Sequence, residues 1–283
     1  MSKSISVRLA KSSDERRLSP WLILQSNSYI RFSPKALGHW LSTQSVFVAE
    51  DRSGFVGFLL CLPTYGEFAA IIGLVVANLW DVEEVIAALL EGGMPLLRRR
   101  GIAALNCVTG ADWLAGALVN LDFQFSTRLA SYLKDDADIP VHGNTQVTVR
   151  DLSEKDVPGV LDVDAAAFAP MWRQDEDLLL SYLQPRTYLI GAEWQRTLIG
   201  YASGAWNGDR GHINRLAVHP QTQGRGVGSR LLAESLIRFR KRDVRHVTLN
   251  TQADNEASRR LYERFGFHLV DLCTQAFTRR LPL

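Results

Sequence analysis

Leu216-Ala217-Val218-His219-Pro220-Gln221-Thr222-Gln223-Gly224-Arg225-Gly226-Val227-Gly228-Ser229-Arg230-Leu231-Leu232 passes from an apolar strand end, across three glycines in five positions, into an amphipathic helix. Glycine at a helical position costs about 0.8–1 kcal/mol relative to alanine. Three of them at a helix start make sense where backbone must approach a ligand closely. A helix N-terminus offers unbonded N–H groups and the positive end of its dipole to an anion. Arg225 and Arg230 fit that reading, because cations there oppose the dipole unless an anion lies between. Three phosphate-loop patterns compete. A Walker A loop requires G-x-x-x-x-G-K-[ST], and the lysine is missing; a dinucleotide loop requires G-x-G-x-x-G, and the spacing here is G-x-G-x-G. The pattern [QR]-x-x-G-x-[GA] is met by Gln223, Gly226 and Gly228. A flexible turn before an ordinary helix is the bland alternative.

Downstream lies Asp254-Asn255-Glu256-Ala257-Ser258-Arg259-Arg260-Leu261-Tyr262-Glu263-Arg264-Phe265-Gly266-Phe267. A strand ends in a polar turn, and the helix that follows stops at Gly266, a natural residue just past a helix end. Taken alone, Asn255 reads equally as an N-cap and Tyr262 as a half-buried core residue.

Around these stretches the second half alternates regularly. The spacing predicts a strand at 145–150, a helix capped by Ser153 and running to about Phe168, and a short helix at 174–183. A hairpin follows around Gln195-Arg196, then a strand at 212–219, the glycine loop and a helix at 227–241. A strand at 246–251, a helix at 255–264 and a closing strand at 268–277 complete it. The first half gives the same order less sharply: a strand at 5–9, helical stretches to about Leu41 and a hairpin around Asp51–Gly54. Then come a strand at 68–76, a helix at 82–99, a strand at 102–108, a helix at 111–121 and a strand at 125–133. The polar Pro- and Gly-containing segment between them reads as a linker. The predicted layout is therefore two domains, 1–136 and 145–283, joined by linker 137–144, with duplication argued from element order alone.

Composition bounds the rest. The chain has 283 residues, 46% hydrophobic and 22% charged, with a net charge of +2. That is ordinary for a globular protein and gives no electrostatic case for nucleic acid or an anionic membrane. The three cysteines, Cys61, Cys107 and Cys273, are far apart and form neither a disulfide framework nor a metal-ligand pattern. The N-terminal residues lack a secretory h-region, and no apolar run is long enough to span a bilayer. A cytoplasmic protein is expected, with no metal, no membrane and no nucleic-acid partner. Arg98-Arg99-Arg100 and the 238–242 cluster read as helix C-terminal charges on a solvated face.

The 216–232 and 254–267 stretches together resemble the GNAT N-acetyltransferase superfamily over about residues 145–280. The resemblance implies an α/β fold with a mixed sheet, in which two neighbouring parallel strands splay to admit the pantetheine arm of acetyl-CoA. Two such folds in tandem are expected, as in mycothiol synthase-like enzymes. It assigns the cofactor contacts to Leu216, Ala217 and Val218 on the strand, to Gln223, Gly224, Arg225, Gly226, Val227, Gly228, Ser229 and Arg230 around the pyrophosphate, and to Asn255. Tyr262 is expected to be the general acid at the sulfur. Many relatives place a glutamate base where this chain has His212; strict strand alternation would set His212, Asn214 and Leu216 on one face, unless a bulge breaks the parity. Glu193 is a weaker candidate base. Another frequent base position holds Asn250, which orients rather than deprotonates. The 249–268 stretch is also similar to ribosomal-protein alanine acetyltransferases, which use a glutamate where this chain has Asn250. The acceptor wall is expected at Phe168 and Trp172, with Asn214, Asn250 and Trp206 near it.

In the first half the equivalent loop, Val76–Val82, has neither glycine nor basic residue, and Ala111 and Leu118 stand where Asn255 and Tyr262 do. That half is expected to be a degenerate copy serving as scaffold or acceptor-side wall. The implied function is acetyl transfer from acetyl-CoA to a primary amine, on a small molecule or a peptide N-terminus, in a ternary complex. A non-catalytic acyl-CoA-binding regulatory or interaction protein is the rival. A monomer is expected over a homodimer, since the tandem fusion replaces the dimer of many single-domain relatives.

Overall fold

The computed structural model describes residues 4–43, 45–136 and 138–282. It divides into two units, 1–127 with 274–283, and 128–273. The first contains β1 (Ser6–Leu9), α1 (Glu15–Ile23), β2 (Asn27–Ile30), α2 (Leu37–Ser42), β3 (Val46–Asp51), β4 (Gly54–Pro63), β5 (Phe68–Val76), α3 (Val82–Arg99), β6 (Ala104–Thr109) and α4 (Asp112–Asn120). Strand β7 (Gln124–Lys134) then passes into the second unit. The second unit continues with β8 (Thr148–Asp151), α5 (Val157–Ala167), α6 (Glu176–Ser181), β9 (Thr187–Trp194), β10 (Thr197–Asn207) and β11 (Arg210–Val218). It closes with α7 (Val227–Arg240), β12 (His246–Gln252), α8 (Glu256–Arg264) and β13 (His268–Asp271). The final strand, β14 (Gln275–Arg280), belongs to the first unit.

Each unit is a mixed sheet with helices on its faces. The strand order is β1-β3-β4-β5-β6-β14 in the first and β7-β12-β11-β10-β9-β8 in the second, with β13 on β7. Among the pairs within each order, one is parallel: β5 with β6, and β11 with β12. In both units that parallel pairing lasts four residues. It joins Phe68–Ile71 to Ala104–Cys107 and Arg210–Ile213 to His246–Leu249, after which the strands part.

Local chemistry accounts for the elements that frame this split. Gln195 and Arg196 both take positive φ, so the β9–β10 connection is the two-residue hairpin turn that matches strand twist. Ser153 and Asp156 form a reciprocal capping box before α5. Val160 and Val163 on α5 pack with Leu179, Leu189, Tyr201 and Ala217 on one face of the sheet. Leu231, Leu232, Leu236 and Phe239 of α7 pack with Ile190, Ala202, Ile213 and Val247 on the other.

Three sequence expectations are corrected. The predicted linker lies inside the second unit and is packed (Ala137 falls outside the described residues). Asn144 donates its backbone N–H to Gly226 O (3.2 Å) and its Nδ2 to Arg225 O (3.0 Å). A Cβ at Gly143 would come within 2.3 Å of the Arg230 nitrogen, so this polar segment is seated against the glycine loop. The predicted strands at 125–133 and 268–277 do not stay with their own halves. Arg128–Lys134 belongs with β12, register Leu129↔Gln252 to Lys134↔Val247, while β14 pairs with β6. The closing strand breaks at Asp271, whose carboxylate accepts the Cys273 N–H, and buried Phe277 then enters the first unit's core.

The third correction is β2, a strand within a stretch expected to be helical. It runs antiparallel along β5 from Gly73 to Val76, where β6 has left. The Arg31 N–H continues the ladder to Ile72 O, and the Tyr29 hydroxyl donates to Val108 O on β6 (2.7 Å). The split of the first unit is thus filled by its own chain.

Candidate active site

In the second unit the corresponding split is open. Strand β11 carries one extra residue, Asn214, between the pairs Ser203↔Arg215 and Gly204↔Ile213. The bulge reverses the parity expected from alternation. Leu216 and Val218 pack with the α7 face, as Ile213 does before the bulge. Arg215 and Ala217 point to the α5 face, where His212 also lies, opposite its neighbour Gly211 that abuts Phe239. In β5 the extra residue is Ile72, between Leu60↔Gly73 and Cys61↔Ile71. Gly73–Val76, which bond β2, therefore correspond to Arg215–Val218. Those residues pair with β10 on one side and, among the described residues, with no strand on the other. A backbone edge of this kind bonds an extended chain by strand addition.

The glycine loop stands at the end of that edge. Gly224 and Gly226 have φ of +75° and +76°, a region that costs other L-residues about 1–2 kcal/mol. Gly226 is the N-cap of α7, and the Arg230 N–H is the first to close a helical bond, onto Gly226 O (3.0 Å). The N–H groups of Val227, Gly228 and Ser229 are left pointing out of the helix start. Gln223 ties the loop down by donating Nε2 to Val218 O (3.0 Å). At Gly228 the helix start meets Leu261 of α8 and Leu216 and Val218 of β11, which a Cβ would approach at 3.5–3.7 Å.

Helix α8 supplies the third wall. Asn255 caps it, its Oδ1 accepting the Ser258 N–H (3.0 Å). Tyr262 is 5% exposed, packed by Tyr132 of β7 and Phe267. Burial pushes its phenol up to about 12, partly offset by hydrogen bonding with Ser258. It is neutral across the physiological range.

A cleft of about 960 Å³ runs between these walls. It brings together most of the expected residues: Leu216, Ala217, Val218, Gln223, Gly224, Gly226, Val227, Gly228, Ser229, Asn255 and Tyr262, with Phe168, Trp172, Asn214 and Asn250. His212, Arg225 and Arg230 do not line it. The His212 Nδ1 lies 2.8 Å from Thr248 Oγ1, and burial lowers its basicity, which keeps the ring neutral. Arg230 turns along α7 to Glu234 (2.8 Å), and Arg225 is exposed. Trp206 stacks under the Arg242 guanidinium, and Glu193 pairs with Arg150.

Arg215 was missed. Its guanidinium lies 3.4 Å from the Phe168 ring centroid and donates Nη2 to Trp172 O (2.7 Å) and Nε to Asp164 Oδ1 (2.9 Å). Asp164, 1% exposed on α5, also accepts from the Tyr201 hydroxyl (2.5 Å) and the Gln174 N–H (2.9 Å). The network pins the 168–173 loop to β11. The signal was present: Asp164 shares a helical face with Val157, Val160 and Val163, and a carboxylate on an apolar face requires a buried partner. Asp164→Ala strands the Arg215 charge. Denaturant unfolding is expected to register a loss of about 3–5 kcal/mol, and a change under about 1 kcal/mol would contradict the network.

Residues 157–267 match the family model described as acetyltransferase (GNAT) family. They form a GNAT acetyltransferase domain. The GNAT domain is similar to a putative [ribosomal protein bS18]-alanine N-acetyltransferase of Bacillus subtilis, 25% identical over 123 residues, covering 43% of this chain and 81% of that protein. It is also similar to the N-alpha-acetyltransferase RimI of Mycobacterium tuberculosis, 37% identical over 92 residues, covering 31% and 56%. Over 98% of both chains the fold matches a tandem GNAT protein from the clavulanic acid biosynthesis pathway, with TM-score 0.64 and 17% identity. The chain thus has the tandem GNAT fold, with its acyltransferase domain at residues 157–267. Its first unit repeats the split sheet but not the site. Helices α4 and α8 are equally long, and Ala111 and Leu118 hold the positions of Asn255 and Tyr262. No helix among the described residues is long and apolar enough to cross a membrane, and none of their His, Cys, Asp and Glu clusters could hold a metal.

Proposed function

We propose that the GNAT domain moves the acetyl group of acetyl-CoA to a primary amine by direct attack in a ternary complex. One observation carries this: a single cleft joins a helix N-terminus, an open strand edge and a buried neutral phenol. The groups fit the co-substrate's chemistry. The amides of Val227, Gly228 and Ser229 suit a pyrophosphate, and the edge of Arg215–Val218 suits the amide-bearing pantetheine arm, as β2 bonds the same edge in the first unit. Phe168, Trp172, Asn214 and Asn250 wall the acceptor end. The names of the curated relatives favour a peptide N-terminus as acceptor.

The strand edge offers N–H donors where the thioester carbonyl gains negative charge. Tyr262 donates its hydroxyl proton toward the departing sulfur. Since its phenol is raised to about 12, the donating form persists through neutral and moderately alkaline pH and gives no alkaline loss of rate there. Incubation with acetyl-CoA and a panel of amines, following free CoA, tests the reading. Tyr262→Phe is expected to lower kcat about 10²-fold with KM for acetyl-CoA little changed. An unaltered kcat at saturating acceptor would remove Tyr262 as proton donor.

A further inference from the structure

The cleft has an unusual charge inventory for a site that must use an amine as nucleophile. Among the described residues its titratable lining side chains are Arg215 on β11, Arg260 and Arg264 on α8, and Tyr262. No carboxylate, imidazole or lysine among the described residues lines it. Several titratable groups behind the walls have partners of their own, while Glu263 on α8, between Tyr262 and Arg264, is exposed and does not line the cleft. On α5, Asp164 is enclosed by Arg215, Tyr201 and Gln174. On β11, His212 faces Thr248 of β12. On α7, Glu234 holds Arg230 and Arg238, and on α8 Glu256 pairs with Arg260. Asn250, on β12 at the acceptor end, accepts and donates hydrogen bonds but takes no proton.

We infer that the acceptor enters this cleft already as the free base, so that the site selects weakly basic amines by their own proton affinity. The inference rests on the acetyl-transfer reading above and deepens it. The step balances without an enzymic base. The lone pair of a neutral amine forms the C–N bond, the C–S bond breaks, the nitrogen sheds one proton and the sulfur gains one. An ammonium acceptor carries one proton too many, and no carboxylate among the described lining residues offsets its charge. At pH 7.5 an α-amine with pKa of about 7.7–8.0 is roughly one-third neutral, whereas a lysine ε-amine of about 10.4 is neutral in roughly one molecule per thousand. Amines adjacent to a carbonyl, aryl amines and hydrazines are the acceptor class; polyamines and lysine side chains are not.

The test uses the full chain, acetyl-CoA and two sets of acceptors. One set is an alanyl peptide with an internal lysine, with mass spectrometry locating the acetyl group. The other is ethylamine with its mono-, di- and trifluorinated analogues, each run from pH 6 to 9.5. The α-amine is expected to be acetylated on the order of 10²-fold faster than the ε-amine at pH 7.5. The rising limb of kcat/KM should move with the pKa of each fluorinated amine. One midpoint shared by all acceptors, or preference for the ε-amine, would overturn the inference and leave acetyl transfer standing. No transfer to any acceptor at any pH would overturn acetyl transfer itself, and this inference with it.

Discussion

Gly226→Val is expected to abolish acetyl-CoA binding in calorimetry while the protein stays folded. The residue sits at φ +76° as N-cap of α7, and the next three amides are the proposed anion end of the cleft. A valine must either hold the left-handed conformation, against its β-branch, or relax the turn and re-aim those amides. Its side chain would also meet Asn144, which already stands 3.3 Å from a Cβ at this position. The strain costs about 1–3 kcal/mol, enough to lower the midpoint of thermal unfolding by several degrees without dissolving α7, whose apolar face is buried. Re-aiming the amides removes hydrogen bonds to charged oxygens, each worth about 1.5–3 kcal/mol, so affinity should fall by 100-fold or more. Binding at full strength would reject the glycine loop as the cofactor site.

Truncation should have an all-or-none effect that depends on where the cut falls. A chain of residues 141–283 keeps both motifs yet loses Arg128–Lys134. That segment pairs with β12 along Val247–Gln252, carries Leu129 into the cleft and packs Tyr132 against Tyr262. Buried Tyr132, 1% exposed, would leave a void costing about 3–5 kcal/mol by itself, and β12 would present a bare edge. Residues 275–280 would also be carried along without β6. This fragment is expected to aggregate and to show no acetyl-CoA binding. Residues 128–273 retain every strand of the second unit and should give a cooperative unfolding transition by circular dichroism. A soluble, cooperatively folding 141–283 would contradict the strand assignment.

Much of the site was legible because its chemistry is local. The glycines, Asn255 and Tyr262 lie in two short stretches whose spacing is set by one loop and one helix, and the cleft reunites them. What escaped was non-local. The Asn214 bulge changes which side chains share a face, and alternation could not foresee it; with it went the placement of His212. Arg215 acquires its meaning from Asp164, fifty-one residues away. The fold was readable for the same reason up to its last strands. Helix α3 is capped by Asp81 and spans the predicted residues, because periodicity and cap agree. Strand β2 is four residues long and begins Asn27-Ser28, too short and too polar for a periodic signal. The exchange of β7 and β14 leaves no local mark at all, since a strand reads the same whichever sheet receives it.

The strand that fills the first unit's split has a thermodynamic meaning. A dissolved ligand stabilises a fold by mass action, by about 2.7 kcal/mol at a hundredfold excess over Kd, and withdraws that support when its concentration falls. Asn27–Ile30 is tethered to the sheet it completes, so its effective concentration never changes. The first unit thus has its split edge already bonded by its own chain. The second has the same edge open, and under the acetyl-CoA reading proposed above its stability would rise and fall with the supply of that ligand. One repeated architecture holds, within a single chain, a split closed by its own strand and a split left for a ligand to close, as proposed above.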